Sequence, residues 1–324
     1  MSASQVSAPA AQRAWGAESG DDGAFHRQDS SFRGWVVDDP AAPFSLEPGR
    51  YHLYAARACP WAHRTIIARR LMGLEEAVGI SFVDPVRDER SWAFTGDDYI
   101  DRVNGFALLR EAYLASDTGY DLRVTVPVLW DRKGATIVNN ESGDILRMLC
   151  TVFAPLASHP VDLYPEPIRP EIDALNEHIY DAVNNGVYKA GFATRQAVYE
   201  REVARLFEVL DELDTRLSAR RFLLGDAPVE TDIRLFTTLA RFDAVYQIHF
   251  KCSLRKLVEY PHLWPYARDL YQWPGVGETV DLDEIRAHYY LTHPKINPSG
   301  LMAVAPAASF QEPHGRDALS ASAP

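Results

Sequence analysis

Cysteine is scarce in this chain of 324 residues: only Cys59, Cys150 and Cys252 occur. Three scattered thiols cannot form a disulfide framework, so a reducing cytoplasm is the natural home. No stretch approaches the roughly 18 consecutive apolar residues that a membrane span needs. Met1 to Trp15 lacks the apolar core of a secretory leader, so a soluble protein with no membrane partner is expected. There is no Lys/Arg-rich block, and the net charge of −12 repels phosphate backbones, which argues against a nucleic-acid partner. Neither a zinc-type histidine pair nor a phosphate-binding glycine loop is present, and no metal is expected. What remains is a globular composition, 47% hydrophobic and 24% charged, with length enough for two cores.

The most informative segment is Cys59, Pro60, Trp61, Ala62, His63, Arg64, directly after the strand-like Tyr51 to Tyr54. It places one thiol where a strand hands over to a helix. The start of a helix presents unpaired backbone N–H groups and the positive end of the macrodipole, so a sulfur there is held partly as thiolate. Pro60 suits the first helical position, where its missing N–H costs nothing. Trp61, Ile66, Ile67 and Leu71 recur at helical spacing, and Gly73 supplies a stop. Cys59 is therefore the candidate nucleophile. The pattern resembles the thioredoxin-like redox motif, but Ala62 stands where a resolving cysteine would be. A disulfide formed on Cys59 must then be released by an external thiol. His63 is not needed as a base and is expected to pack on the inner side of the helix.

Residues 1–47, rich in Ala, Ser, Gly and Asp and without sustained periodicity, read as a loosely ordered arm or cap. From Tyr51 the signals alternate: strand (51–54), helix (61–72) and strand (80–83) form a βαβ unit. A polar insert, a helix over 106–115 and a hairpin (126–130, 136–138) turning at Asp131 to Gly134 complete a small α/β domain over 48–155. Asn140 is the expected cap of a helix over 141–149. After a proline-studded stretch from Pro155 to Pro170, helical periodicity takes over, with helices expected over 171–183, 195–217, 231–242 and 261–272 in an all-helical domain, 165–293. Leu206, Leu210, Leu213 and Leu217 mark one buried face. Residues 294–324 form an extension whose tail after Gly315 is expected to be disordered.

Taken together, the Cys59 motif, Val126-Pro127-Val128, Asn140-Glu141-Ser142 and the helical half resemble a glutathione transferase, a thioredoxin-like α/β domain followed by an all-α domain. More narrowly, the chain resembles the glutathionyl-hydroquinone reductases, the Xi class. The matching segments include Tyr188 to Phe192, Asp232 to Leu235, Arg241 to Asp243, His249 to Cys252 and Glu312 to Gly315. The resemblance covers about residues 30–316.

That resemblance implies a homodimer, glutathione as co-substrate and a site. It implies that Pro127 is a cis-proline and that Val126 and Pro127 sit beside the thiol, where the backbone pairs with the cysteinyl unit of glutathione. Glu141 and Ser142, at a helix start, would hold the γ-glutamyl end. Trp92 would pack along the tripeptide and Arg123 would meet a carboxylate. Tyr188 and Tyr289 would line the electrophile pocket and donate to a substrate oxygen as charge builds there. The reaction implied is reduction of a glutathionyl-hydroquinone through a Cys59–glutathione mixed disulfide, with release of oxidised glutathione. Two alternatives remain: an omega-like thiol transferase, and a non-catalytic binding protein on the same scaffold. One departure is visible. The family's buried helix opens with Thr or Ser three residues before Asp, whereas here Val229 precedes Asp232, so a weaker cap is expected, with Thr231 as a partial substitute.

Overall fold

The computed structural model describes residues 19–321. Four strands, β1 (Tyr51–Ala55), β2 (Val78–Phe82), β3 (Val128–Asp131) and β4 (Thr136–Asn139), form one sheet in the order β2-β1-β3-β4. β1 runs parallel to β2, as a helical crossover requires, and antiparallel to β3, which pairs antiparallel with β4. The crossover is α1 (Pro60–Leu71), which ends at Gly73 with a positive φ of 61°, a conformation that suits glycine. α2 (Arg110–Ser116) and α3 (Ser142–Cys150) complete this thioredoxin-like half. Side chains alternate across the pleat. Tyr51, Leu53, Leu129 and Val138 enter the core shared with α1, α3 and the helical half. Tyr54, Val128, Trp130 and Ile137 enter a second core, which α2 covers with Ala112 and Tyr113.

The helical half comprises α4 (Arg169–Ile179), α5 (Gly186–Gly191), α6 (Gln196–Arg216), α7 (Glu230–Arg241), α8 (Leu263–Gln272) and α9 (Leu282–Thr292), with π-helical turns at Tyr180–Asn184 and Phe242–Tyr246. The helix expected over 171–183 thus divides into α4 and a π turn. α5 and α9 were not anticipated. The leucine stripe of α6 is fully buried, as its spacing demands.

Three expectations are corrected. From residue 19 to 47 the arm is not loose. It lies along β4 through Gly34 N–H to Val138 O (2.8 Å), and reaches the helical half through Ser19 Oγ to Phe192 O (2.8 Å). The expectations on residues 1–18 and 322–324 fall outside the described residues. The segment after Gly315 is folded through Ala321, because the buried Arg316 guanidinium donates to the carbonyls of Leu217 (3.0 Å) and Arg221 (2.9 Å). Finally, Thr231 does not cap α7: it lies within the helix, and its buried hydroxyl oxygen accepts no backbone N–H.

The weak cap at Val229 is compensated from the other side. The carboxylate of Asp232 is buried and accepts from Val229 N–H (2.8 Å), Leu223 N–H (3.0 Å) and the Tyr266 hydroxyl (2.7 Å). Burial raises its pKa to about 6, and the three donors oppose that rise. Asp232→Ala strands three buried donors and is expected to lower stability by about 3–4 kcal/mol in urea unfolding at pH 7, a loss that a merely peripheral carboxylate would not produce. Val229→Thr, which restores an acceptor at the cap, is expected to raise it by about 0.5–1 kcal/mol.

Candidate active site

The loop between β1 and α1 is held from below by one side chain. Arg241, at the end of α7 and fully buried, donates Nε to Ala58 O (3.0 Å), NH2 to Arg57 O (2.7 Å) and NH1 to Thr237 O (2.7 Å). Its NH1 also meets His63 Nδ1 at 3.1 Å. A guanidinium can only donate, so Nδ1 is the acceptor and the His63 proton sits on Nε2, which faces Thr279 Oγ1 at 2.8 Å. Burial, and then the Arg241 charge, hold His63 well below its ordinary pKa. Both ring nitrogens are thus committed, and His63 is not a base for Cys59.

Cys59 is the N-cap residue of α1, in an extended conformation, with Pro60 following and no acidic residue in the first turn to compete for the free N–H groups. Its sulfur lies 3.8 Å from Val126 O. The Val126–Pro127 bond is cis. Both residues, with Cys59, line a cleft of about 440 Å³ between the two halves. Trp92, Arg123, Glu141, Ser142, Tyr188 and Tyr289 line it too, so the nine residues expected at the site share one cavity.

One wall of the cleft is the N-terminus of α3. Its cap is Glu141 and not Asn140: the Glu141 side chain accepts from Gly143 N–H (3.1 Å), whereas Asn140 is occupied with Phe32 N–H (3.0 Å) and Tyr113 OH (3.2 Å). Asn139 prepares this cap by accepting Glu141 N–H at 2.7 Å. Ser142 receives NH1 of the buried Arg64 (3.3 Å), whose NH2 is fixed on Asn184 (2.8 Å). On the opposite wall, Tyr188 OH meets Tyr289 OH at 2.6 Å, and Tyr289 OH meets Tyr246 OH at 2.9 Å. Burial raises the pKa of all three phenols, so they are proton donors at neutral pH. Tyr188 also feels the charge of Cys59.

Sequence reasoning missed several contributors. Tyr246, on a π turn, extends the phenol chain. His288 stacks on Trp92 with ring centres 5.2 Å apart and an interplanar angle of 11°, and its Nδ1 reaches Pro85 O at 2.6 Å. A carbonyl accepts only, so His288 carries its proton on Nδ1, and burial keeps it neutral. The arm also enters the site. Ser30 Oγ donates to Glu141 (2.9 Å), Gln28 brackets the Arg123 backbone (3.1 Å to its N–H), and Arg27 lies over the Trp61 ring (4.5 Å). Burial lowers the Arg123 pKa to about 10, which leaves it cationic. Among the described residues no group of His, Cys, Asp and Glu is arranged to hold a metal ion. Nor is any helix there long and apolar enough to cross a membrane.

A thiol at a helix start on a thioredoxin-like sheet, joined through its cleft to an all-helical half, defines a glutathione transferase. The models of that family match here: the N-terminal domain over residues 58–152 and the C-terminal domain over 196–269. Within the superfamily the chain belongs to the Xi-class glutathionyl-hydroquinone reductases. It is 48% identical to the glutathionyl-hydroquinone reductase YqjG of Escherichia coli, covering 91% of this chain and 93% of that protein. It is 46% identical to the glutathionyl-hydroquinone reductase PcpF of Sphingobium chlorophenolicum, over 91% and 93% of the two chains. The glutathione-bound structure of the E. coli protein superposes with a TM-score of 0.85, covering 91% of this chain and 98% of that one.

The other two thiols differ from Cys59 in their surroundings. Cys150 and Cys252 lie in the core, and burial pushes both well above the ordinary thiol pKa. Brief iodoacetamide treatment of the native protein at pH 6.5–7, followed by peptide mapping, is expected to alkylate Cys59 and spare both others. Comparable labelling of all three would remove Cys59 from its role.

Proposed function

We propose that this chain reduces glutathionyl-hydroquinones to hydroquinones at the expense of glutathione. The observation that carries the reading is a single thiol, with alanine in place of a resolving cysteine, on the same cleft as a coupled set of protonated phenols. The glutathionyl part of the substrate lies along Val126 and Pro127, its γ-glutamyl carboxylate at the N-terminus of α3 and its ammonium on Glu141. Trp92 packs along the tripeptide and Arg123 meets a carboxylate.

In its keto tautomer the conjugate places the C–S bond next to a carbonyl. The Cys59 thiolate attacks the glutathionyl sulfur, an S–S bond forms, and the C–S bond breaks with its electron pair moving into the ring and onto the carbonyl oxygen. Tyr188 and Tyr289 donate to that oxygen, and a proton passed through the phenol chain completes the hydroquinone. A second glutathione thiolate then attacks the mixed disulfide, which releases oxidised glutathione and returns Cys59 as thiolate. The reading extends to a homodimer in a reducing cytoplasm, a compartment that would keep the Cys59 thiol available.

Intact-mass analysis after brief exposure to a glutathionyl-hydroquinone without free glutathione is expected to show one glutathione on Cys59, removed when glutathione is added. Cys59→Ser should form no adduct and lose turnover by about a thousandfold or more. Substituting Tyr188→Phe or Tyr289→Phe should lower kcat by about a hundredfold while adduct mapping still finds Cys59. Faster reaction with a glutathionylated peptide than with the hydroquinone conjugate would instead make the protein an omega-like thiol transferase.

A further inference from the structure

The cleft holds a cation that the reaction above does not use. Arg87 lies in the segment after β2, two residues beyond Pro85, whose carbonyl is tied to His288 of α9. Its guanidinium is buried, 4.6 Å from the centre of the Trp92 ring, and lines the cleft beside Cys59, His288, Tyr289 and His293. The same Trp92 indole stacks on His288, which precedes Tyr289 in α9, with ring centres 5.2 Å apart. Arg87 therefore belongs to the wall that faces the aromatic part of the substrate, not to the glutamyl end. Burial lowers its pKa to about 9, so it remains charged at neutral pH while lacking much of its hydration.

A desolvated guanidinium gains most from an anion brought into the same cavity, and its planar fork matches a carboxylate. Glutathione has two carboxylates of its own, for which the α3 N-terminus and Arg123 are the assigned partners, and Arg87 is a further cation on a cleft that Arg27 and Arg33 also line. We propose that Arg87 is a specificity residue that selects conjugates whose hydroquinone ring bears an anionic group, a ring carboxylate in the first instance. The inference rests on the glutathione reading of the site and deepens it by naming the substrate class.

The test separates the two. Equilibrium binding of S-(4-carboxybenzyl)glutathione and of S-benzylglutathione, neither of which can be reduced, is measured by calorimetry on the wild-type chain, Arg87→Met and Arg87→Lys. The wild type is expected to bind the carboxylated thioether about tenfold more tightly. Arg87→Met should bring the ratio to one or below, Arg87→Lys should retain part of the preference, and added salt should narrow it. If the ratio is the same in wild type and Arg87→Met, or if both ligands weaken equally because Trp92 has merely lost its stacking partner, the inference is overturned while the glutathione site stands. Binding of neither thioether overturns both. A preserved, Arg87-dependent ratio without turnover of any hydroquinone conjugate removes the proposed reaction alone.

Discussion

The site depends on one buried guanidinium. Arg241 grows from the helical half, yet two of its bonds go to the carbonyls of Arg57 and Ala58, the residues just before the thiol. Those carbonyls lie between a strand and a helix, where no ladder partner is available, and a buried carbonyl left without a donor costs about 1–3 kcal/mol. Supplying the donor from α7 makes the catalytic loop and the helical half one unit. His63 is drawn into the same arrangement and becomes a spacer between Arg241 and Thr279. The sulfur at the N-terminus of α1 therefore faces the cleft because the backbone behind it cannot relax.

Around that fixed point the cleft divides by chemistry. Its α3 end offers backbone N–H groups, a carboxylate and a hydroxyl, a set suited to a zwitterionic amino acid. Its α9 wall offers phenols, neutral imidazoles and Arg87, a set suited to an aromatic ring that gains electron density. The thiol lies where the two meet, which is where the C–S bond of a conjugate would lie. The arm closes the arrangement, since Ser30 orients Glu141 and Gln28 holds the backbone of Arg123. A segment that reads by composition as a loosely ordered arm or cap thus forms part of the wall of the cleft.

How much of this was legible in the sequence follows from what periodicity can register. Strand, thiol, proline, helix is a local pattern, and it located Cys59, α1 and β1. The leucines of α6 repeat on one face and declared a core helix. α9 went unseen because its buried face includes His288, Tyr289 and Thr292, polar side chains that blur the apolar period. α5, six residues long, is too short for any period to appear. The arm was misjudged because its apolar anchors, among them Phe25 and Val36 in the core, are too widely and irregularly spaced to show a period, and backbone and polar side-chain bonds hold the rest. Asn140 has the side chain most favoured at a helix start, but Phe32 of the arm claims it, so the cap passes to Glu141. Arg241 and Arg87 look like surface charges until tertiary structure buries them.

The loss of a second thiol at Ala62 determines the chemistry of the whole scaffold. A hydroxyl at the start of α1 would donate to the glutathione sulfur and stabilise its thiolate, which would then add to an electrophile and form a conjugate. A thiolate in that position repels another thiolate, but attacks a sulfur that is already bonded to carbon or sulfur. The first arrangement makes C–S bonds and the second breaks them. With no partner cysteine to resolve the product internally, the mixed disulfide must persist until external glutathione arrives, and on this reading the bound glutathionyl unit already fills the end of the cleft at Glu141 and Ser142, so the second tripeptide approaches from the other side of Cys59. Hydroquinone departure has to come first, because the resolving sulfur needs the space on the Tyr289 side of Cys59 that the ring had filled.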